Sequence, residues 1–385
     1  MASYTVPGVY VEEPAGLSLS VQTGETAVPV FAYVKPAEPV GKVFTGAGII
    51  PFSSWLDVTS AMVKENITED EKKKFDTDPL YQSLKLYFAN GGGHCYIAPV
   101  DQLGVLVPTL DDVTLLVQAG TGAGDPTTFI TQVNKLCQTG YPYFAIFDGP
   151  KSVPVDKTSV TSAQEKYTLS ETASPYAAVY YPWLKLKETD PDSAVIPPSG
   201  AVAGAYARTD RERGVWKAPA NVSITGAVPA VKISDETDGY YNAPDSGGKS
   251  INVIREFRGT GPLIWGARTL KSDDPHWKFV PVRRLFSAVE KDIKTAMSAA
   301  MFEPNSQPTW EQVRGAVESY LYRLWKQGAL LGETPEQAYR VLIGAGVTMT
   351  PKDINDGIMR LSVALAAVRP AEFIVLELSQ MVVPG

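Results

Sequence analysis

The stretch that decides the fold is INVIREFRGTGPLIWGARTLKSDDPHWKFVPVRRLF, residues 251–286. Its first half, residues 251–265, predicts a β-hairpin in which two apolar strands flank a Gly-Thr-Gly-Pro turn. Its second half predicts another strand at 277–282, followed by a helix. The stretch therefore reads as a domain junction packed around Trp265 and Trp277. Five basic residues lie near this junction: Arg255, Arg258, Arg268, Arg283 and Arg284.

Upstream of the junction, strand patterns alternate with helix patterns. An apolar run at 28–34 predicts a strand, and helical spacing at 80–88 is stopped by the glycine-rich segment 90–93. An apolar strand at 95–100 follows directly. Further strands are predicted at 113–117, 143–148 and 177–181, and a helix at 129–137. Helix, glycine stop and strand in succession indicate an α/β fold for this part of the chain.

Downstream of the junction the pattern changes to α+β. Apolar residues from Phe286 to Ala300 recur at helical spacing, and Arg284, Lys291 and Lys294 fall on the opposite face. Thr309 is a plausible N-cap for the next helix, which we expect to end at Gly328. A short helix is predicted at 333–340, and strands at 341–343, 359–365 and 372–378.

Composition narrows the class of protein. The chain has 385 residues, is 44% hydrophobic and 20% charged, and is long enough for two or three domains. Its net charge of −7 argues against a general nucleic-acid binder. Residues 276–385 carry 12 Lys and Arg against 11 Asp and Glu, so the negative charge lies upstream. The two cysteines make neither a disulfide framework nor a metal set, and we expect no secretion signal or transmembrane helix.

Long ordered motifs on both sides of the junction share one resemblance. They are YFANGGGHCYIAPV (87–100), SPYAAVYYPWLKL (174–186), IPPSGAVAGAYARTDRERGVWKAPAN (196–221), MFEPNSQPTWEQVRGAVESYLYRLWKQGALLGETPEQAYRV (301–341) and VRPAEFIVLEL (368–378). Together with the junction stretch, they resemble contractile tail sheath proteins, which build the outer cylinder of contractile phage tails and of phage-tail-like injection particles.

The resemblance implies a fold and a domain order. We expect an N-terminal arm at 1–20, a subtilisin-like α/β domain without a catalytic triad at 21–275, an α+β C-terminal domain at 276–370 and a C-terminal strand arm at 371–385. It also implies a structural subunit that polymerises helically around an inner tube and contracts to drive that tube through a target envelope.

Partners and location follow from the same resemblance. The expected partners are other copies of this chain, paralogous sheath subunits, an inner tube protein, and baseplate and terminal cap proteins. We expect no nucleic-acid partner, no direct membrane insertion and no cofactor, nucleotide or metal. Assembly is expected in the bacterial cytoplasm, before the subunit becomes part of a phage tail or a released injection particle.

The two chain ends are the candidate inter-subunit strands. The final segment has apolar side chains on both faces, which makes an aggregation-prone strand unless another strand pairs with it. In the sheath family both arms add strands to sheets of neighbouring subunits. The candidate arm residues are Val9, Tyr10, Val11, Phe373, Ile374, Val375, Leu376 and Leu378. Deletion of residues 1–14 or 372–385 is expected to leave a folded monomer that makes no cylinders.

A tube with an acidic exterior would need a basic surface on the C-terminal domain. The candidate tube-facing residues are Arg283, Arg284, Lys291, Lys294, Arg314, Arg323 and Lys326. Exposed lysines and arginines are also common on any solvated helix face, so this prediction concerns the set and not single residues.

Two other classes of protein remain as alternatives. One is a receptor-binding or other structural component of the same particle; the other is a hydrolase on a subtilisin-like fold. Against the hydrolase, neither His94 nor His276 lies in a context that resembles a catalytic histidine, and no G-x-S-x-G elbow occurs. Ser199 is the nearest mimic of a nucleophile, and a Pro-Pro-Ser-Gly turn explains it. The glycine-rich run 120–124 lacks the ending of a phosphate-binding loop.

Overall fold

A computed structural model describes residues 19–34, 48–64, 68, 77–121, 126–154, 156–186, 195–242 and 248–373. These residues form two compact units. The sheet unit comprises the described residues of 24–291 together with 367–373, and the helical unit comprises 19–23 and 292–366. Of the predicted arms at 1–20 and 371–385, residues 1–18 and 374–385 lie outside the described residues.

The sheet unit is built on nine strands in the order β2-β3-β1-β4-β5-β6-β10-β11-β8. The strands are β1 (Pro29–Tyr33), β2 (Ile50–Phe52), β3 (Cys95–Pro99), β4 (Leu115–Val117), β5 (Phe144–Asp148), β6 (Ala177–Tyr181), β8 (Val222–Ser223), β10 (Ile251–Phe257) and β11 (Gly261–Ile264). A separate antiparallel pair joins β7 (Leu184–Leu186) to β9 (Ala227–Pro229).

The six central strands, from β3 to β10, run parallel, and the pairings at the two edges are antiparallel. Every residue of β1, β4, β5 and β6 is buried. Near-continuous apolar strands of this kind are typical of a parallel sheet covered on both faces. The register is long-range: Phe31 lies opposite both Ile97 and Val117.

Helices alternate with these strands along the chain. The sheet unit contains α1 (Trp55–Lys64), α2 (Pro79–Ala89), α3 (Leu103–Leu106), α4 (Thr127–Leu136), α5 (Lys157–Glu165), α6 (Ser199–Arg213), α7 (Asp235–Asn242) and the first part of α8 (Val280–Met297). The helical unit contains the end of α8 together with α9 (Gln307–Lys326), α10 (Pro335–Ala338) and α11 (Pro351–Asn355). Helix α2 starts where the Asp78 side chain accepts the backbone N–H of Tyr81, and Asn90 caps its C-terminal end. Ten of the fifteen residues of α6 are buried, so it is the central helix of this unit.

The helical unit has its own small core. Trp310, Val313 and Met349 are buried there, with Leu19 packed against the same cluster. Strands β12 (Tyr339–Leu342) and β13 (Ser362–Leu365) form an antiparallel pair, and Arg323 donates to the carbonyl oxygen of Val21 at 2.6 Å.

The mixed α/β prediction is confirmed, with a large sheet that is mainly parallel. The predicted hairpin corresponds to β10 and β11. The predicted strand at 277–282 is wrong, because α8 already begins at Val280 and only Phe279 forms a bridge, to Arg268. Pro281 lies in the first turn of α8, where proline is well tolerated because that turn needs no backbone donor.

Candidate assembly surfaces

Most of the predicted arm residues lie outside the described residues: Val9, Tyr10, Val11, Ile374, Val375, Leu376 and Leu378. Phe373 is described, and its side chain is 73% exposed. An exposed phenylalanine immediately before an apolar segment is compatible with a surface that another chain covers.

Two of the predicted tube-facing residues are buried, which corrects the sequence-based surface. Arg284 makes a two-pronged ion pair with Asp210, at 3.0 and 2.6 Å, and its side chain is 3% exposed. Arg283 packs against the rings of Tyr176 and Trp277 and bonds to Glu290. The physical reason is that both arginines lie in the first turns of α8, which face the core of the sheet unit, so neither forms part of an exposed basic surface.

The other five predicted residues are more accessible. Lys291 is partly buried and donates to the carbonyl oxygen of Asp112 at 3.2 Å, whereas Lys294 is exposed near the end of α8. On α9, Arg314 pairs with Glu311, and Lys326 is exposed beside Tyr322 and Trp325. Arg323 is exposed as a residue, although its guanidinium holds the carbonyl of Val21.

The two-stranded sheet of the helical unit offers unpaired strand edges. In the described part of the chain, β12 and β13 pair with each other and no third strand joins them. Alternate residues of β13 are exposed. A sheet of two strands has little stability alone, and its open edges can accept another strand.

An exposed apolar turn in the helical unit was not predicted from the sequence. Phe302 is fully exposed, Met301 is 62% exposed, and Phe302 has a φ of 68°. A bulky residue at positive φ is strained, and an exposed apolar side chain there is a candidate contact for another chain. In the sequence, Glu303-Pro304-Asn305 follows directly and breaks the helical pattern, which indicates a turn but not its exposure.

Ser199 and the glycine-rich run meet at a buried carboxylate. Asp148, at the end of β5, accepts the backbone N–H of Ser199 at 2.9 Å and that of Gly120 at 2.7 Å. The Ser199 hydroxyl accepts the N–H of Ala119 at 3.0 Å. The cluster thus fastens the first turn of α6 to the ends of two parallel strands, which is a structural task.

Burial raises the pKa of Asp148 to about 6, and its hydrogen bonds with Gly120 and Ser199 only partly oppose that rise. The ordinary value is 3.8. Between these two values the folded state holds the proton and the unfolded state does not, so this carboxyl makes the fold less stable as pH rises. The stabilisation that this carboxyl gives the folded state is fully present below pH 3.8 and is lost above about pH 6.

We therefore expect the Asp148→Asn variant to lack a fall in stability that the wild type shows between pH 4 and 6.5. Over this pH range, the free energy of unfolding of the wild type should fall by about 3 kcal/mol at most relative to that of the variant. Urea unfolding at several pH values measures the fall in stability, and Asp111→Asn, at an exposed residue, is the control. Parallel pH profiles for wild type and Asp148→Asn would contradict the buried-carboxylate explanation.

His94 lies in a looser cluster at the sheet edge. Its Nδ1 is 3.4 Å from the Ser53 hydroxyl and its Nε2 is 3.8 Å from Asp112, which also accepts the Tyr96 hydroxyl at 3.0 Å. A serine-hydrolase relay needs shorter hydrogen bonds in a site shielded from water. Ser53 is exposed and His94 is about one-third exposed, so this cluster does not have that geometry.

His276 lies in an exposed turn. Among the described residues, no group of three or more His, Cys, Asp or Glu side chains could hold a metal ion. Cys95 and Cys137 are buried free thiols. No helix in the described ranges is long and apolar enough to cross a membrane.

Comparison with known proteins finds similarity to tail sheath proteins. Residues 125–270 match the model of the phage tail sheath protein central domain, and residues 272–380 match that of the phage tail sheath C-terminal domain. A putative prophage major tail sheath protein of Pseudomonas aeruginosa strain UCBPP-PA14 is 27% identical over 188 residues, which are 49% of this chain and 46% of that protein. The tail sheath protein of Enterobacteria phage T4 is 27% identical over 131 residues, 33% of this chain and 19% of that protein. The match therefore spans less than half the length of either relative.

Solved structures match the full length. The PVC sheath complex of an extracellular contractile injection system, in its contracted state, has a chain that is 47% identical, with 99% of both chains covered and a TM-score of 0.84. The helical sheath of the anti-feeding prophage, also contracted, is 38% identical over 98% of this chain and 100% of that one, with a TM-score of 0.76.

Proposed function

The chain belongs to the contractile tail sheath family, and from that premise we propose that it is a structural subunit of a contractile sheath. Its copies polymerise helically around an inner tube, and contraction of the cylinder drives the tube through a target envelope. The observation that carries this proposal is the 47% identity, over 99% of both chains, with a sheath chain of an extracellular contractile injection system.

Strand exchange is the proposed link between subunits. The open edges of the β12–β13 pair are suitable acceptors for an arm from a neighbour, because an added strand satisfies their backbone groups. An arm that forms about five hydrogen bonds would gain about 1 kcal/mol from each. Each large apolar side chain that it buries would add roughly 2 kcal/mol. Such a link would outlast weaker lateral contacts while the lattice rearranges.

The energy for contraction is proposed to be stored at assembly as a difference between two packings, without nucleotide or metal. A few kcal/mol per subunit is large when summed over a long cylinder. The parallel sheet, with four fully buried strands, is suited to remain rigid while contacts between subunits change.

We assign the subtilisin-like domain of the family to residues 21–275 and the α+β domain to residues 276–370, flanked by arms at 1–20 and 371–385. We also propose that the protein is not an enzyme. The matched proteins are structural sheath proteins, and Ser199, Asp148 and His94 make contacts that explain them without catalysis.

The proposed partners are further copies of this chain, paralogous sheath subunits, the baseplate, the inner tube and a terminal cap. Baseplate association is supported by the likeness to chains of the anti-feeding prophage baseplate. We propose assembly in the bacterial cytoplasm, followed by incorporation into a phage tail or a released injection particle.

Negative-stain microscopy of the purified full chain tests the function. A sheath subunit forms long hollow cylinders, whereas a hydrolase or a receptor-binding component gives discrete particles. Calorimetry adds a second test, since extended sheaths should release heat when they contract. Discrete particles under all assembly conditions, with the inner tube present, would count against the proposal.

The tube-facing prediction no longer includes Arg283 and Arg284, which are buried. We test it at three of the remaining five residues, Lys294, Arg314 and Lys326, which are exposed or partly exposed. We expect reversal of these three to Glu to abolish extended assembly on the tube, because loss of several rim charges together removes more than the roughly 0–1 kcal/mol that each supplies.

The control variant carries the same charge change at exposed lysines of the sheet unit: Lys135→Glu, Lys151→Glu and Lys166→Glu. Co-assembly with the tube, counted by electron microscopy, is the measurement. Equal numbers of extended sheaths from both triple variants would show that Lys294, Arg314 and Lys326 do not contribute to binding of the tube.

A further inference from the structure

At the base of the proposed C-terminal arm, two basic side chains bind the carboxylate of Glu372. In the junction stretch, Arg268 forms an antiparallel bridge with Phe279, and the N–H of Thr269 donates to the carbonyl oxygen of Lys278 at 2.9 Å. This pairing brings two basic side chains, those of Arg268 and Lys278, to one place. Both converge on Glu372, the last residue but one of the described chain.

The position of Arg268 is fixed by a buried amide. The side chain of Asn252, on β10, accepts the backbone N–H of Arg268 at 2.7 Å and donates to its carbonyl oxygen at 2.8 Å. The same amide also donates to the carbonyl of Val179 on β6, at 3.2 Å. Arg268 is therefore attached, through Asn252, to two central strands of the nine-stranded sheet.

The guanidinium of Arg268 donates hydrogen bonds to the carboxylate of Glu372 from two nitrogens. Its Nε lies 2.9 Å from Oε1, and one terminal nitrogen lies 2.6 Å from Oε2. The other terminal nitrogen donates to the carbonyl oxygen of Asn242 at 2.6 Å, and Lys278 Nζ is 3.8 Å from Oε2. The side chains of Arg268 and Glu372 are 7% and 20% exposed. Two-pronged pairs with this little exposure are stronger and more directional than surface ion pairs.

We propose that this clasp, Arg268 with Glu372, is a positioning device that fixes the point from which the C-terminal arm leaves the sheet unit. The inference rests on the proposed strand exchange. Phe373, the next residue, is exposed, so the clasp lies directly beside a surface residue at the start of the proposed arm. A tail whose base is fixed reaches a neighbour's strand edge at a higher effective concentration than one whose base moves freely. The clasp also passes load on the arm to the central sheet through Asn252.

An ion pair with a purely structural role would stabilise the fold, and its loss would not change how readily folded monomers assemble. The experiment therefore separates folding from arm positioning, and it uses the full chain. The variants are Glu372→Ala, which removes the carboxylate, and Glu372→Gln, which keeps its shape and one acceptor oxygen. Glu212→Ala, at an exposed residue of α6 in the same unit, is the matched control.

Two readouts are taken on monomers and one on polymers. Thermal unfolding reports the fold. Chymotrypsin cleaves after Phe373 and also after the leucines of residues 374–385, so mass spectrometry of the large product that ends at Phe373 reports loss of the fragment 374–385 and hence the freedom of the arm base. The critical concentration for cylinder formation reports assembly. We expect folded Glu372→Ala monomers that lose the fragment severalfold faster and assemble only at a roughly tenfold higher concentration. Glu372→Gln should fall between Glu372→Ala and the wild type, and Glu212→Ala should match the wild type.

A chain that ends at Phe373 distinguishes the failure of this inference from that of the proposed strand exchange. If that truncated chain makes no cylinders but Glu372→Ala assembles at the wild-type concentration, the clasp has no positioning role, although the arm does. Equal cleavage rates in Glu372→Ala and wild type would likewise overturn the clasp. If the truncated chain assembles normally, the strand exchange fails, and the clasp has no arm to position.

Discussion

Deletion of residues 374–385 should give a folded monomer that forms no cylinders at any concentration, and deletion of residues 1–14 should do the same. The cut after Phe373 preserves the Arg268–Glu372 ion pair, so the fold of the sheet unit loses none of its described contacts. The deletion removes the proposed arm strand, with the apolar residues Ile374, Val375, Leu376 and Leu378, which we expect to pair with a neighbouring subunit. We also expect the shortened monomer to be more soluble, because an aggregation-prone terminus is gone.

Size-exclusion chromatography and circular dichroism would show the folded monomer, and negative-stain microscopy would count cylinders. The control removes only Pro384 and Gly385, which shortens the chain without touching the apolar segment. Full-length cylinders from either long deletion would contradict strand exchange through that arm. A structure of the assembled sheath in which both termini pair only within their own subunit would contradict it as well.

Local patterns were enough to predict most elements of the sheet unit. The strands at β1, β3 and β5 are short apolar runs, and α2 has both a helical period and a glycine-rich stop, so each pattern lies within a few residues. The strand order was not predictable in this way. Strand β1 lies between β3 and β4, and such parallel pairings depend on contacts between residues far apart in the chain.

The assembly surfaces were predicted less well, because a sequence shows where charges are but not what they pack against. Arg284 has the spacing of a surface residue on α8, yet its partner Asp210 is 74 residues away and buries it. Arg268 was noted only as one of five basic residues near the junction. Its role depends on Glu372, which is 104 residues away. No period or motif connects such pairs.

The close contact between α6 and α2 supports the second large effect that we expect. Gly200 and Gly204 are one helical turn apart on α6, and a Cβ at either would lie within 3.0 Å of backbone atoms of α2, at Ser83 and Tyr87 respectively. Small residues at this spacing let two helix backbones approach closely, as the sequence SGAVAGAYA could have indicated. Backbone atoms cannot rotate away as a flexible side chain can, so an added methyl group must separate the helices.

We expect Gly204→Ala to destabilise the protein by about 3 kcal/mol, and the double variant Gly200→Ala/Gly204→Ala to leave no soluble folded protein. Gly315→Ala is the matched control, since Gly315 lies in the interior of α9 and a Cβ there has nothing within 4 Å. That change should stabilise the protein by up to about 1 kcal/mol, because alanine loses less conformational freedom than glycine in a helix. Urea denaturation of the monomers measures both. A Gly204→Ala variant as stable as the wild type would mean that α2 and α6 can separate without cost, and that the nine-stranded sheet does not depend on their contact.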